Sequence, residues 1–232
     1  MSSVADQLQR VLEAVDLACT GAGRQGSEVR LMAVSKTQPA EVVAEAVAAG
    51  QVLFGENRVQ ELLQKKPLLP QRLHWHLIGP LQSNKVRKAL TAADRLDAVH
   101  SLEILKDIER IAAELGREVP VLLEVNVAAE SSKHGFASDQ LEACFEQILG
   151  MRHLRVEGLM CIPPPVSRVE DARPYFARLR ELRDRLEASL GISLPELSMG
   201  MSHDFTAAIA EGSTLVRVGS AIFGSRSSPS PT

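Results

Sequence analysis

From Val29 onward the chain alternates between short apolar runs and amphipathic helical runs, and this alternation most limits what it can become. "VRLMAVSK" reads as an extended segment, and "PAEVVAEAVAAG" as a helix closed by Gly50. "VLFGE" precedes the helical "RVQELLQKK", and "LHWHLIG" precedes "SNKVRKALTAA". "RLDAVHS" precedes "LEILKDIERIAAELG", and "VPVLLEVNV" precedes "SDQLEACFEQILG". "RVEGLMCIP" leads to the long helix "EDARPYFARLRELRDRLEASLG", "ELSMG" to "DFTAAIAEG", and "TLVRVGSAIF" is the last strand. Strands separated by helices cannot pair as hairpins, so they must lie parallel with crossover connections.

About eight such units suit a closed barrel, whose usual length is ~250 residues. An open doubly wound sheet would favour G-x-G-x-x-G after the first strand, where this chain has "SKTQPA". The expected fold is α/β, a single (β/α)8 TIM barrel. An additional N-terminal helix is read from Val4, Leu8, Val11, Leu12 and Val15 at helical spacing. No Pro/Gly/Ser linker breaks the series. Residues 1–226 are therefore expected to form one domain, with the Ser/Pro-rich 227–232 as a disordered tail.

Composition removes several function classes. A formal charge of −3 and an aromatic content of 3% argue against a nucleic-acid surface. Cys19, Cys144 and Cys161 are odd in number and widely spaced, which argues against a disulfide framework or zinc knuckle and for a reducing cytoplasm. Cys161, within "GLMCIPP", reads as a small buried hydrophobe. No run approaches the ~20 apolar residues of a membrane span, and the N-terminus lacks a signal-peptide core.

Some residues strain against their positions. Met32, Val34 and Lys36 share one face of the first strand. If that face points inward, Lys36 enters the barrel mouth, where functional groups gather. Partial burial there would favour the neutral amine, a nucleophile suited to carbonyls. The plainer alternative is a lysine at an exposed strand end. Arg217 lies between Val216 and Val218, so it points into the barrel if the valines pack outward. It then needs an acceptor: a core carboxylate such as Glu124, or a ligand's ring nitrogen or phosphate. "SMGMS" follows strand seven, and Gly219 with Ser220 follows the core of strand eight, the habitual phosphate site of this barrel. His74 and His76 in "HWH" could pair on a metal, but no third ligand is tied to them, and packing or ligand contact is the preferred reading. Tyr175, the sole tyrosine, precedes the apolar stripe Phe176, Leu179, Leu182 and Leu186 and reads as packing.

The ordered motifs "AVSKTQPAE", "FGENRVQE", "WHLIGPLQSNK", "GLMCIPP", "LSMGMSHDF" and "VRVGSAIFG" resemble the pyridoxal phosphate homeostasis (PLP-binding) proteins, relatives of the alanine racemase barrel domain. The resemblance spans roughly Val29 to Gly224. It implies pyridoxal 5′-phosphate (PLP) as cofactor, held as a Schiff base on Lys36. It also implies a phosphate held by Ser202, Gly219 and Ser220, Arg217 facing the pyridine nitrogen, Asn57 lining the pocket, and Lys133 as a second lysine for cofactor handling. His203 receives no role, and Cys161 stands where relatives often carry a hydroxyl residue.

The implied function is intracellular PLP homeostasis (storage, buffering and delivery to PLP-dependent apo-enzymes) by a cytoplasmic monomer without catalytic turnover. An arginine at the ring nitrogen can only donate, which weakens the electron sink. The racemase's second domain supplies a catalytic tyrosine, and this chain is expected to lack one. The alternatives are a small PLP enzyme such as a weak amino-acid racemase, and a barrel enzyme that binds a phosphorylated sugar through Lys36 without PLP.

Overall fold

The computed structural model describes residues 2–130 and 134–224. Lys133 and the tail 227–232 lie outside the described residues. Eight parallel strands close into one barrel in chain order. They are β1 (Arg30–Val34), β2 (Leu53–Glu56), β3 (His74–Leu77), β4 (Arg95–Val99), β5 (Val119–Glu124), β6 (Leu154–Met160), β7 (Glu196–Ser198) and β8 (Leu215–Val218). The seam closes where β1 pairs with β8, from Arg30 opposite Leu215 to Ala33 opposite Val218. The helices are α1 (Val4–Gly21), α2 (Ala40–Ala48), α3 (Val59–Lys65), α4 (Val86–Ala92), α5 (Leu102–Leu115), α6 (Ser138–Leu149), α7 (Arg173–Leu190), α8 (Phe205–Ala210) and α9 (Ser220–Phe223).

Local chemistry explains the added α1. Ser3 Oγ accepts from Asp6 N while Asp6 Oδ2 accepts from Ser3 N, a capping box that satisfies two otherwise orphaned donors. Leu8, Val11, Val15 and Cys19 form its buried stripe, and it packs against α2, α8 and α9.

Two cores follow from the strand alternation. Outward-facing Ala33, Phe54, Trp75, Val216 and Val218 join the helices in one continuous apolar layer. Inward-facing Met32, Val34, Leu53, Ile78 and Leu215 fill one part of the lumen, and Ala98, Leu122 and Met160 another. Toward the strands' N-terminal ends the interior is ionic. Arg95 is 4% exposed and contacts Asp97 at 2.7 Å, Glu157 at 2.9 Å and Glu196 at 3.5 Å. Although burial would raise Asp97's pKa, neighbouring His76 and Arg95 hold the carboxyl well below the usual range.

Several expectations are corrected in detail. β1 stops at Val34, and Lys36 sits in the following turn instead of the strand. The last strand stops at Val218, and Ser220–Phe223 is a helical turn. Gly219 makes that change of direction at the barrel wall, where an added Cβ would stand 3.1 Å from Val34 O. The histidines of "HWH" do not pair: His74 is exposed, while His76 is buried with Nδ1 3.3 Å from Asp97 Oδ2. No group of three metal-ligating side chains occurs among the described residues. Tyr175 packs against the outer core, with the Arg178 guanidinium 5.5 Å from its ring centre. Cys161 is fully buried, as read.

Candidate functional site

A cavity of about 570 Å³ opens at the C-terminal ends of the strands. Its size is in the range of small-molecule sites. Lys36, Asn57, Ser202, Arg217, Gly219 and Ser220 all line it. Six residues picked from four motifs thus meet in one place. Lys36 is exposed, so the partial burial expected for it is not found: the segment leaves the wall before reaching it.

The turn that carries Lys36 is tightly held. Ser35 N donates to Gly55 O at 3.1 Å, and Gln38 N donates to Ser35 O at 3.0 Å. Thr37 has φ 66°, a left-handed conformation costly for a β-branched residue. Its N–H donates to Glu61 Oε2 at 2.8 Å, which secures the strained link. Below the turn, Lys65 Nζ donates to Ser35 O and to Glu56 Oε1, both at 2.7 Å. Ser35 Oγ donates to the same Glu56 oxygen at 2.7 Å. Glu56 is fully buried, and burial pushes its pKa up against the opposing pull of Lys65 and Ser35. The backbone atoms beside Lys36 are therefore fixed from two sides, by Glu61 and by the Lys65–Glu56 pair.

Arg217 is 4% exposed and lines the cavity from β8. The ion pair with Glu124 does not form among the described residues. The guanidinium instead donates to Ser198 Oγ and Cys161 O, each at 2.8 Å. A main-chain carbonyl serves there, so the identity of the Cys161 side chain is immaterial to that contact. Burial pulls the arginine's pKa down, with Cys161, Asp97 and Glu124 opposing. A guanidinium held only by neutral acceptors keeps donor capacity for an acceptor in the cavity.

Just past the end of the same strand, Gly219 N and Ala221 N donate to Ser202 Oγ at 3.3 and 3.4 Å. These long bonds hold the Ser202 hydroxyl, through its oxygen, at the cavity edge and leave its proton for an acceptor such as an anion. Gly200, at φ 95°, makes the loop possible, because a Cβ there would lie 2.6 Å from Ala208 Cβ. The residues present therefore fit PLP: an amine, a buried donor-only cation and a hydroxyl donor for an anion share one cavity.

The sequence reading missed Glu61, which lines the cavity, and the Lys65–Glu56 pair beneath it. A clue was present: Glu56 ends a strand whose other residues are apolar or Gly, and Glu61 and Lys65 stand at i,i+4 on one helix. His203, given no role, also lines the cavity.

This fold and cavity define a barrel of the alanine racemase type, and the family model "alanine racemase, N-terminal domain" matches residues 12–227. The Clostridium difficile alanine racemase superposes with a TM-score of 0.73 over 94% of this chain and 57% of its own, at 16% identity, a likeness of fold. Closer in sequence, a pyridoxal phosphate homeostasis protein of Aquifex aeolicus is 44% identical over 95% of this chain and 97% of its own length. The structure of PipY from Synechococcus elongatus with PLP bound is 37% identical, with a TM-score of 0.84 over 96% of this chain and 100% of that one. The chain belongs to the pyridoxal phosphate homeostasis protein family.

Proposed function

We propose that this chain binds PLP covalently through Lys36 and serves PLP homeostasis as a store and donor, without catalytic turnover. The observation that carries the reading is the convergence of Lys36, Asn57, Ser202, Arg217, Gly219 and Ser220 on one cavity. The PLP-bound PipY structure and the homeostasis name of the relatives support it. PLP supplies an aldehyde for imine formation and a pyridine ring that acts as an electron sink. Lys36 Nζ is the amine for the aldehyde, set by the rigid turn around Ser35 and Thr37. Ser202 Oγ and the N–H groups of Gly219 and Ser220 receive the phosphate. Arg217 donates to the ring nitrogen and holds it unprotonated, which blunts the electron sink. Asn57 lines the same wall. Lys133 is proposed as a second lysine for cofactor handling.

Cavity chemistry agrees with holding over turnover. Tyr175 is committed to packing outside the cavity, so no phenol faces the site. The functional unit is taken as a cytoplasmic monomer of residues 1–226 that passes PLP to apo-enzymes. Among the described residues no helix is long and apolar enough to cross a membrane.

The second reading is a weak racemase, favoured by His203 and Glu61 on the cavity wall, two groups able to carry protons. Deuterium exchange at the α-carbon of amino acids separates the readings. The store-and-donor reading expects negligible exchange with the PLP-loaded protein, together with reactivation of an added apo-enzyme. Fast exchange that disappears in Lys36→Ala would restore the enzyme.

A further inference from the structure

A second cavity of about 430 Å³ opens beside the first, and Asn57 and Arg58 line both. Its remaining polar wall is Gln60, Gln82, Lys85, His100 and His134, with no carboxylate among the lining residues. The rings of His100 and His134 lie 5.0 Å apart. Among the described residues the side chains of Arg58 and Lys85 have neither an ion pair nor a hydrogen bond. Some exposed arginines on the outer wall are paired, Arg87 with Glu114, Arg155 with Glu118 and Arg185 with Glu142. Four cationic or protonatable groups thus face one concave space whose described lining supplies no carboxylate. Two acids stand nearby. Glu103 flanks His100 at the start of α5, and the buried Glu124 carboxyl lies close to His100, His134 and Arg217. Burial favours the neutral form of Glu124, which reduces its opposition to a bound anion.

We propose that this second cavity binds the oxyanion of a small metabolite, carboxylate or phosphate, next to the cofactor cavity. Arg58 and Lys85 supply the fixed positive charge, and the imidazoles of His100 and His134 add ring N–H donors. Because Arg58 belongs to both cavities, an occupant lies beside the ligand of the first. The proposal does not rest on the PLP reading, since the groups it assigns to the anion, Arg58, Lys85, His100 and His134, are not among the six assigned to the cofactor, although Asn57 lines both cavities.

Histidine ring resonances test it in the full-length protein, loaded with whatever cofactor it retains. His100 and His134 report on the second cavity and His203 on the first. Inorganic phosphate and, separately, acetate are titrated at constant ionic strength. The expected result is a saturable shift of His100 and His134 with a midpoint distinct from any change at His203. Lys85→Ala should weaken that midpoint about tenfold or more, and Lys85→Arg should restore it. Saturation by phosphate alone would identify a phosphate-bearing ligand, by acetate alone a carboxylate, and by both a shared oxyanion site. The proposal fails if neither anion gives a saturable shift, if His100 and His134 merely follow His203 with one midpoint, or if Lys85→Ala leaves the midpoint unchanged.

Discussion

Lys65→Met isolates the support of the Lys36 turn. The methionine keeps the apolar stem and removes the ammonium that bonds Ser35 O and Glu56 Oε1 at 2.7 Å. Glu56 is fully buried and the Lys65 side chain is 9% exposed, so solvent screens the pair little. Without Lys65, Glu56 keeps only the Ser35 hydroxyl, and its other oxygen already has no hydrogen-bond partner. Breaking one side of a buried ion pair costs about 3–5 kcal/mol. For a chain of this size that corresponds to a fall in melting temperature of about 6–20 °C. The loss must also depend on pH. Burial already raises the folded-state pKa of Glu56 above its ordinary 4.5, and removing Lys65 raises it further. Folded protein then holds a proton that the unfolded chain has released, so stability falls as pH rises from 4.5 through the raised value. Urea unfolding should therefore show a larger loss near about pH 8 than near about pH 5. Lys65→Met/Glu56→Gln should recover most of the stability, because no charge remains buried, yet retain less covalent PLP, because Ser35 O loses its Lys65 donor. A loss under about 1 kcal/mol at the higher pH, the size of an exposed pair, would refute the reasoning. Equal losses at both pH values would refute it as well.

Three further outcomes are expected. Borohydride reduction of the PLP-loaded protein followed by peptide mass spectrometry should place the adduct on Lys36, and Lys36→Ala should lose it; an adduct on Lys133 instead would reassign the anchor. Replacing both Ser202 and Ser220 with alanine should weaken PLP far more than pyridoxal, which lacks the phosphate, whereas equal weakening would show that the serines act through folding. Asp97 is held below its ordinary 3.8, so its contribution is complete above that value and is lost as pH falls below it; Asp97→Asn should leave Arg95 buried with less counter-charge and flatten the acid limb of the stability profile, and an unchanged limb would show that other carboxylates set it.

The sequence alone determined the parallel barrel, because eight alternations of period-2 and period-3.6 patterning leave few other ways to bury the apolar faces. It also determined the outward Val216 and Val218 and hence the inward Arg217, since side-chain alternation along a strand is local geometry. Lys36, Ser202, Gly219 and Ser220 were legible because strand ends gather at one rim of a barrel, whereas Asn57 came from the family resemblance and Glu61 was missed. Tertiary structure decided the rest. That Arg217 bonds Ser198 and Cys161 O and not Glu124 depends on spacing across the lumen between β6, β7 and β8, which no local pattern encodes. The exposure of Lys36 and the strain at Thr37 depend on where β1 leaves the wall and on Glu61 arriving from α3. The Lys65–Glu56–Ser35 network joins a helix, a strand and a turn. Its members are individually unremarkable in sequence, and only closure of the barrel removes water from between them and turns three polar side chains into one rigid support.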